Sequence, residues 1–456
     1  MDSLINTARR ARAAHRLLAV LALGLALGAS PAGAYAEMRD TDAICGRTYT
    51  EETRETEDRP DIACQEAIVM GKDGTVYFER DADKEVKIAS ITKVMTAIVV
   101  LENTSADDEL VVDHRAATVG QSSADLREGD VLTRDEALKA LMIPSGNDAA
   151  MALATFTGSK IDPASSDPYQ VFIDAMNAKA QELGMEHSVF ANPHGLDFDG
   201  WEGDFHSTAR DVATMFAHAM EDETFRELTA NPDNQITVTS ADGTERTIDM
   251  VERNKILGTE SNIGGKTGGT YEALQCFVGA FQRDAGGEIY TVTLGSDGDQ
   301  QRWDDTLALA NWYYDHVVPY PIAPTTRTCG DGMPLVAKAP HADWSDKTVD
   351  ITVEHPDQTV DLFSLAGDVE LELDLAELHG DVKTGDAAGT IRVMQNDAEV
   401  GQGALVCAED QAAPAGFDWV MVQLDRLFRL MSGRPGTAEV KQYAAAINAH
   451  DFDMAS

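Results

Sequence analysis

Lys87-Ile88-Ala89-Ser90-Ile91-Thr92-Lys93-Val94-Met95-Thr96-Ala97 is the stretch around which the rest of the chain is organised. Val94, Ala97, Ile98 and Leu101 recur at helical spacing, which predicts a helix with a buried face. Ser90 falls at or near its N-terminus, with Lys93 one turn on and on the same side. A serine hydroxyl is a poor nucleophile until a base takes its proton, and a neutral lysine amine within hydrogen-bond reach can do so. A helix N-terminus also points backbone N–H groups at the place where an oxyanion would form. Ser-x-x-Lys alone describes an ordinary helix start with a solvated lysine equally well, so its partners decide.

Those partners are Met142-Ile143-Pro144-Ser145-Gly146-Asn147-Asp148-Ala149-Ala150 and Gly265-Lys266-Thr267-Gly268-Gly269-Thr270. Ser-x-x-Lys, Ser-x-Asn and Lys-Thr-Gly, in that order, form the motif set of penicillin-binding proteins and class A β-lactamases. From roughly Glu66 to Val318 the chain resembles the D-alanyl-D-alanine carboxypeptidases among the low-molecular-mass penicillin-binding proteins. Besides the three motifs, the resemblance is carried by Met176-Asn177, Leu183-Gly184-Met185, Asn192-Pro193-His194-Gly195-Leu196-Asp197 and Ser207-Thr208-Ala209-Arg210-Asp211.

The resemblance implies a substrate class, peptidoglycan stem peptides ending in D-Ala-D-Ala, and inhibition by β-lactam antibiotics. Ser90 would attack the penultimate carbonyl, D-alanine would leave, and water would release the acyl-enzyme. Lys93 has to be neutral near pH 7, and bringing a model lysine from about 10.4 to about 7 corresponds to roughly 4–5 kcal/mol. Desolvation and the cation Lys266 both push that way. Ser145 would relay a proton to the leaving amine between Lys93 and Lys266, and Asn147 would hold the substrate amide and orient Lys93. The N–H groups of Ser90 and Gly269 would form the oxyanion hole, with Gly268 beside them in the motif. Position 269 usually carries a larger residue in the family, so the glycine here departs from the pattern. Thr267 and Arg302 stand where the family grips the terminal carboxylate.

Three rivals are weighed. A class A β-lactamase needs a further glutamate for the deacylating water, and no matching Glu-x-x-Leu-Asn follows Ser145. A zinc peptidase built on His187, His194, Asp197 and His206 would use residues of a stretch that carries no metal role in the family. A catalytically decayed cell-wall binding protein is disfavoured because every catalytic position is intact. No cofactor is called for, and no Cys/His spacing suggests zinc.

The chain has 456 residues, 43% of them hydrophobic, enough for more than one cored domain. Arg9, Arg10, Arg12 and Arg16 precede an apolar run from Leu17 to Leu27, then Ala34-Tyr35-Ala36; residues 1–36 therefore read as a secretory signal peptide. The formal net charge is −42, and loss of that leader, which carries +3, would leave about −45. Such a surface repels nucleic acid and anionic lipid head groups. Cys276 lies in the apolar strand after Lys-Thr-Gly and reads as a buried thiol; the other four cysteines allow three pairings, of which proximity favours Cys45–Cys64 and Cys329–Cys407.

The fold class expected is α+β, a penicillin-binding-protein-like catalytic domain followed by a small all-β domain and a C-terminal amphipathic helix. Behind an acidic N-terminal segment (37–64), a hairpin within Glu66–Arg80 opens the catalytic domain (65–318). An all-helical insert follows, with helices over Arg134–Met142 and Pro168–Leu183. Strands are expected at Gln235–Val238, Thr247–Val251, Gly265–Thr267, Gln275–Phe281 and Ile289–Gly295, then a helix Asp304–Val317. Pro319, Pro321 and Pro324 mark a linker to the all-β domain (325–410), whose Lys383-Thr384-Gly385 opens a turn and is a chance match. Phe417, Val420, Met421, Leu424, Leu427, Phe428 and Met431 make one apolar stripe, too short to span a bilayer. Segment 416–433 resembles the family's membrane-surface helix, the alternative being a helix docked on the protein or a partner, and 434–456 reads as a disordered tail.

Overall fold

Apolar runs broken by glycine turns pair in this chain, and helices start where a side chain can cap them. The computed structural model describes residues 39–48, 59–230 and 233–447; the signal peptide expected at 1–36 lies outside them. In chain order, strands β1 (Ala43–Ile44), β2 (Arg47–Thr48), β3 (Glu66–Gly71) and β4 (Val76–Arg80) precede helix α1 (Lys93–Asn103). Then come β5 (Glu109–Val111), β6 (Val131–Thr133), α2 (Arg134–Met142), α3 (Asn147–Ile161), α4 (Pro168–Glu182), α5 (Ala209–Ala219) and α6 (Glu223–Ala230). Strands β7 (Gln235–Thr239), β8 (Glu245–Asp249), β9 (Asn262–Thr270), β10 (Leu274–Arg283) and β11 (Gly287–Ser296) follow, closed by α7 (Asp299–Asp315).

The main sheet is antiparallel, in the order β2-β1-β4-β3-β11-β10-β9, so β9 is its terminal strand. Caps fix the helices: Thr133 and Glu136 form a reciprocal capping box at α2, and Thr208 accepts from Asp211 N at α5. Helix α1 has more than one buried face; every residue from Lys93 to Val100 is buried. It is the central helix, packed among Leu138, Leu141, Phe172 and Val212.

Several expectations need correction. The insert is not all-helical: β5 and β6 pair with β7 and β8 in a four-stranded sheet, built from runs too short for periodicity to reveal. Helix α7 begins at Asp299, capped at Gly298, which puts Arg302 on the helix rather than in the loop after β11. Pro319 and Pro321 belong to no linker; they lie in β12 (Val317–Pro321), whose partner is β15 (Thr359–Phe363). A two-stranded ribbon leaves one edge free, where a residue without an N–H does no harm.

With β13 (Ala337–Pro340), β14 (Thr348–Val353), β16 (Val369–Leu375), β17 (Ala387–Gln395), β18 (Ala398–Cys407) and β19 (Lys441–Gln442), the remainder makes a six-stranded sheet, β16-β17-β18-β14-β13-β19, with its own core. Residues 434–447 are therefore not a disordered tail. β19 pairs with β13, Ala444 is buried, and Ile447 N donates to Tyr320 Oη at 2.8 Å. Helix α8 (Phe417–Met431) precedes it.

All five cysteines are free, so the Cys45–Cys64 and Cys329–Cys407 pairings are not made. The Cys45 thiol turns to the Tyr77 carbonyl, Cys329 to that of Pro334, while Cys64 and Cys407 are enclosed in separate cores. In place of a disulfide, a buried ion pair fastens the N-terminal strands. Arg80 donates to both Asp42 oxygens (2.6 and 2.7 Å) and to the Ile62 carbonyl (2.8 Å). Asp42→Ala would strand the guanidinium in the core, so it is expected to destabilise the fold by about 3–5 kcal/mol in denaturant unfolding. A loss under about 1 kcal/mol would show that water replaces the carboxylate.

Candidate active site

Because α1 is buried from Lys93 to Val100, its first residue lies inside the protein. Lys93 is 0% exposed. Its Nζ lies 2.8 Å from Ser90 Oγ, 2.8 Å from Asn147 Oδ1 and 3.0 Å from the His194 carbonyl. A neutral amine has two N–H bonds and one lone pair. Asn147 and His194 take the two hydrogens, which leaves the lone pair for the Ser90 hydroxyl. Burial first, then the charge of Lys266, hold Lys93 well below the usual lysine range, with Asp148 opposing them. Ser90 itself sits half-buried in a 3-10 turn, Ala89–Thr92, that runs directly into α1.

Lys266 on β9 is also buried, and its Nζ lies 2.8 Å from Ser145 Oγ and 2.8 Å from the Thr267 carbonyl. Burial pushes this amine down to about 7, against the pull of Glu252 and with help from Arg302 and Arg253. Ser145 has φ +63°, a left-handed conformation that costs a non-glycine residue on the order of 1–3 kcal/mol. It is held there because Gly146 N donates to Ala140 O (3.0 Å) and Asn147 N to Ser122 O (2.8 Å). The three motifs thus form two hydrogen-bonded groups, Ser90–Lys93–Asn147 and Ser145–Lys266, rather than a single chain through Ser145.

Gly268 meets the turn that carries Ser90. A Cβ there would lie 2.5 Å from the Ile88 carbonyl, so only glycine lets β9 approach. Beside Gly269 the Gln275 side chain fills the space a larger residue would use; a Cβ at 269 would stand 3.0 Å from its Oε1. Arg302 is 6% exposed and lies behind these strands. One of its amino groups donates to Gly268 O (3.0 Å), Gln275 Oε1 (3.1 Å) and Cys276 O (3.3 Å), and the other pairs with Asp299. Thr267 is half-buried on the same strand.

Sequence reasoning singled out no role for Asp148, which is buried and accepts from Ser123 Oγ, Ala124 N and Leu126 N (2.6, 2.9 and 3.1 Å), pinning the 123–126 loop to α3. Its only signal was its place inside the quoted motif. His187 and His206 lie at the surface near Glu85 while His194 is buried beside Trp201. Among the described residues no group of three or more His, Cys, Asp or Glu could hold a metal. Lys383 pairs with Asp410 (3.0 Å) in a turn attached to the second sheet.

A family model described as D-alanyl-D-alanine carboxypeptidase, peptidase S11, matches residues 53–298. The D-alanyl-D-alanine carboxypeptidase DacF of Bacillus subtilis is 26% identical over 364 residues, 77% of this chain and 86% of its own length. DacB2 of Mycobacterium tuberculosis is 32% identical over 257 residues, 56% and 83% of the two chains. The crystal structure of the Streptomyces K15 DD-transpeptidase superposes with a TM-score of 0.51 at 31% identity, covering 56% of this chain and 98% of that one.

The buried amines set a pH dependence. Lys266 titrates near 7 when folded and near its model value of 10.5 when exposed, so between these pH values the unfolded chain binds the extra proton. Unfolding free energy should therefore rise with pH from about 7 to 10.5, with this group adding a slope approaching about 1.4 kcal/mol per pH unit. Lys266→Met should remove that contribution. Equal slopes for mutant and wild type in denaturant titrations would mean that Lys266 is charged in the folded protein.

Proposed function

The chain belongs to the D-alanyl-D-alanine carboxypeptidase family of serine peptidases, and on that premise we propose how its side chains divide the work. It is a serine-type D-Ala-D-Ala carboxypeptidase of peptidoglycan metabolism, acting outside the cytoplasm on the cell wall. The observation that carries the assignment of roles is the Lys93 amine, with both its hydrogens engaged and Ser90 2.8 Å away. Ser90 Oγ attacks the carbonyl of the penultimate D-alanine while Lys93 takes its proton, the N–H groups of Ser90 and Gly269 receiving the oxyanion. Ser145, bonded to Lys266, relays to the departing D-alanine amine the proton that Lys93 took from Ser90, which leaves Lys93 neutral again. Lys93 then activates the water that cleaves the acyl-enzyme.

The leaving carboxylate is gripped at Thr267, with Lys266 and Arg302 supplying positive charge. Arg302 acts from behind the strand, since its two amino groups are already given to Gly268 O, Gln275 and Asp299. A cationic pocket for a free carboxylate is what separates removal of a terminal residue from internal cleavage. β-Lactams carry a carboxylate and a strained amide into the same geometry. Penicillin is therefore expected to add its own mass to the peptide containing Ser90. Ser90→Ala should stay unlabelled and release no D-alanine while keeping its circular dichroism. A covalent adduct that persists in Ser90→Ala, read by mass spectrometry, would move the nucleophile elsewhere.

Two features fit an enzyme exported and held at the membrane surface. The arginine-rich leader at 1–36 supplies the export signal, removed at the small residues before Glu37. The stripe of α8 is the other: Phe417, Val420, Met421, Leu424, Leu427, Phe428 and Met431 are 44–77% exposed. The opposite face holds the helix to the protein, through buried Val422 and through Arg426, which donates to the Ala342 carbonyl. Docking by that polar face leaves the stripe free for lipid, where burying on the order of several hundred Å² is worth several kcal/mol at about 25 cal/mol per Å². The negative charge of the chain opposes this, but salt screens it beyond roughly 8–10 Å.

No helix among the described residues is long and apolar enough to cross a membrane, so the attachment would be peripheral. Deleting 416–456 would also remove β19, so substitution is the cleaner test. Leu424→Asp with Leu427→Asp and Phe428→Asp is expected to abolish liposome flotation of the protein lacking 1–36. Flotation that survives the triple variant, or a wild-type protein that never floats, would return α8 to a docking role.

A further inference from the structure

The six residues Asn192–Asp197 touch both halves of the catalytic apparatus. All are buried, and the loop is wired internally: Asn192 Oδ1 accepts from His194 N and Gly195 N (3.2 and 2.6 Å), and Asn192 Nδ2 donates to Leu196 O (2.9 Å). On one side the His194 carbonyl receives Lys93 Nζ at 3.0 Å, and the Pro193 carbonyl receives Thr96 Oγ1 at 2.6 Å. Gly195, at φ +81°, presses on the residue before the nucleophile; a Cβ there would fall 1.9 Å from the Ala89 carbonyl.

On the other side stands Thr270, the residue after Gly269. Its Oγ1 accepts from Ala273 N at 3.0 Å, fixing the turn between β9 and β10, and donates to Asp197 Oδ2 at 2.6 Å. Asp197 is 3% exposed and its other oxygen, Oδ1, is buried without a hydrogen-bond partner. A carboxylate buried with one side-chain donor costs stability, so packing alone does not explain it. A short bond to a charged acceptor does fix geometry strongly.

We propose that Asp197 is a positioning residue which, through Thr270, ties the turn beside the Gly269 N–H to the same loop that holds Lys93, so that oxyanion donor and base are set by one element. The inference rests on the roles assigned above to Gly269 and Lys93. A loop rigid enough to carry both contacts makes their separation independent of substrate. Loss of the tie lets the turn relax while Lys93 keeps its own three contacts, so acylation suffers and binding does not.

The test is stopped-flow acylation by penicillin with wild type, Thr270→Val, Thr270→Ser and Asp197→Asn. Thr270→Val should lower the acylation rate constant roughly tenfold to a hundredfold with little change in the preceding dissociation constant. Thr270→Ser, which keeps the hydroxyl, should restore most of the rate. Asp197→Asn removes the charge but little volume and should fall between them, which guards against a Thr270→Val that fails to fold. Hydrogen exchange reads the tie without any turnover: amides of 269–273 should exchange faster in Thr270→Val and not in Thr270→Ser. An unchanged rate in Thr270→Val, an equal defect in Thr270→Ser, a loss confined to the dissociation constant, or unaltered exchange would each overturn the proposal. An absence of acylation in wild type, with exchange behaving as expected, would instead fault the assigned function.

Discussion

Two lysine amines taken out of water are the condition on which the rest of this structure depends. Lys93 opens a helix buried over its first eight residues, and Lys266 lies on a strand under the helical layer; neither finds a carboxylate hydrogen-bonded to it. Charge on either amine is costly there. Burial makes both release a proton more readily than a free lysine, Lys93 well below the usual range and Lys266 down to about 7, and uncharged acceptors hold them still. For Lys93 those acceptors come from a side-chain amide on α3 and from the backbone of the 192–197 loop. The elements that carry them have to be in register for either lysine to be tolerated, which makes chemical competence and correct folding nearly the same requirement.

The second constraint is steric. β9 ends the main sheet, so one of its edges faces the helical layer instead of another strand. It approaches the Ser90 turn as closely as a backbone can, with the Ile88 carbonyl where a Cβ at Gly268 would need to be. Arg302 braces that edge from behind, bonded to the Gly268 and Cys276 carbonyls and to Gln275. Gln275 in turn occupies the space left by the glycine at 269, so a departure from the family's usual residue is compensated across the strand pair.

The acidic surface and the C-terminal sheet belong to a different part of the physics. A formal charge of −42 sets solubility and the partners that are repelled, and says little about the site, where the decisive groups are buried lysine amines. The second sheet is closed by β19, which arrives only after α8. That order of elements holds the helix between two anchored segments and turns its apolar stripe outward.

From the sequence alone came what local pattern and motif can specify: the α+β class, the hairpin within Glu66–Arg80, the helices Arg134–Met142 and Phe417–Met431, and a serine and a lysine one turn apart. These are encoded in spacing, capping residues and turn glycines, which act over a few positions. Tertiary structure decided the rest. Strands β5 and β6 are too short to show a period and exist because they pair with each other and β6 joins the β7–β8 hairpin. Residues 441–442 become a strand because β13 offers an open edge. The tie from Asp197 to Thr270 joins positions 73 residues apart. No periodicity reaches that far, since a hydrogen bond between distant segments is chosen by how their cores pack, and not by the residues that flank it.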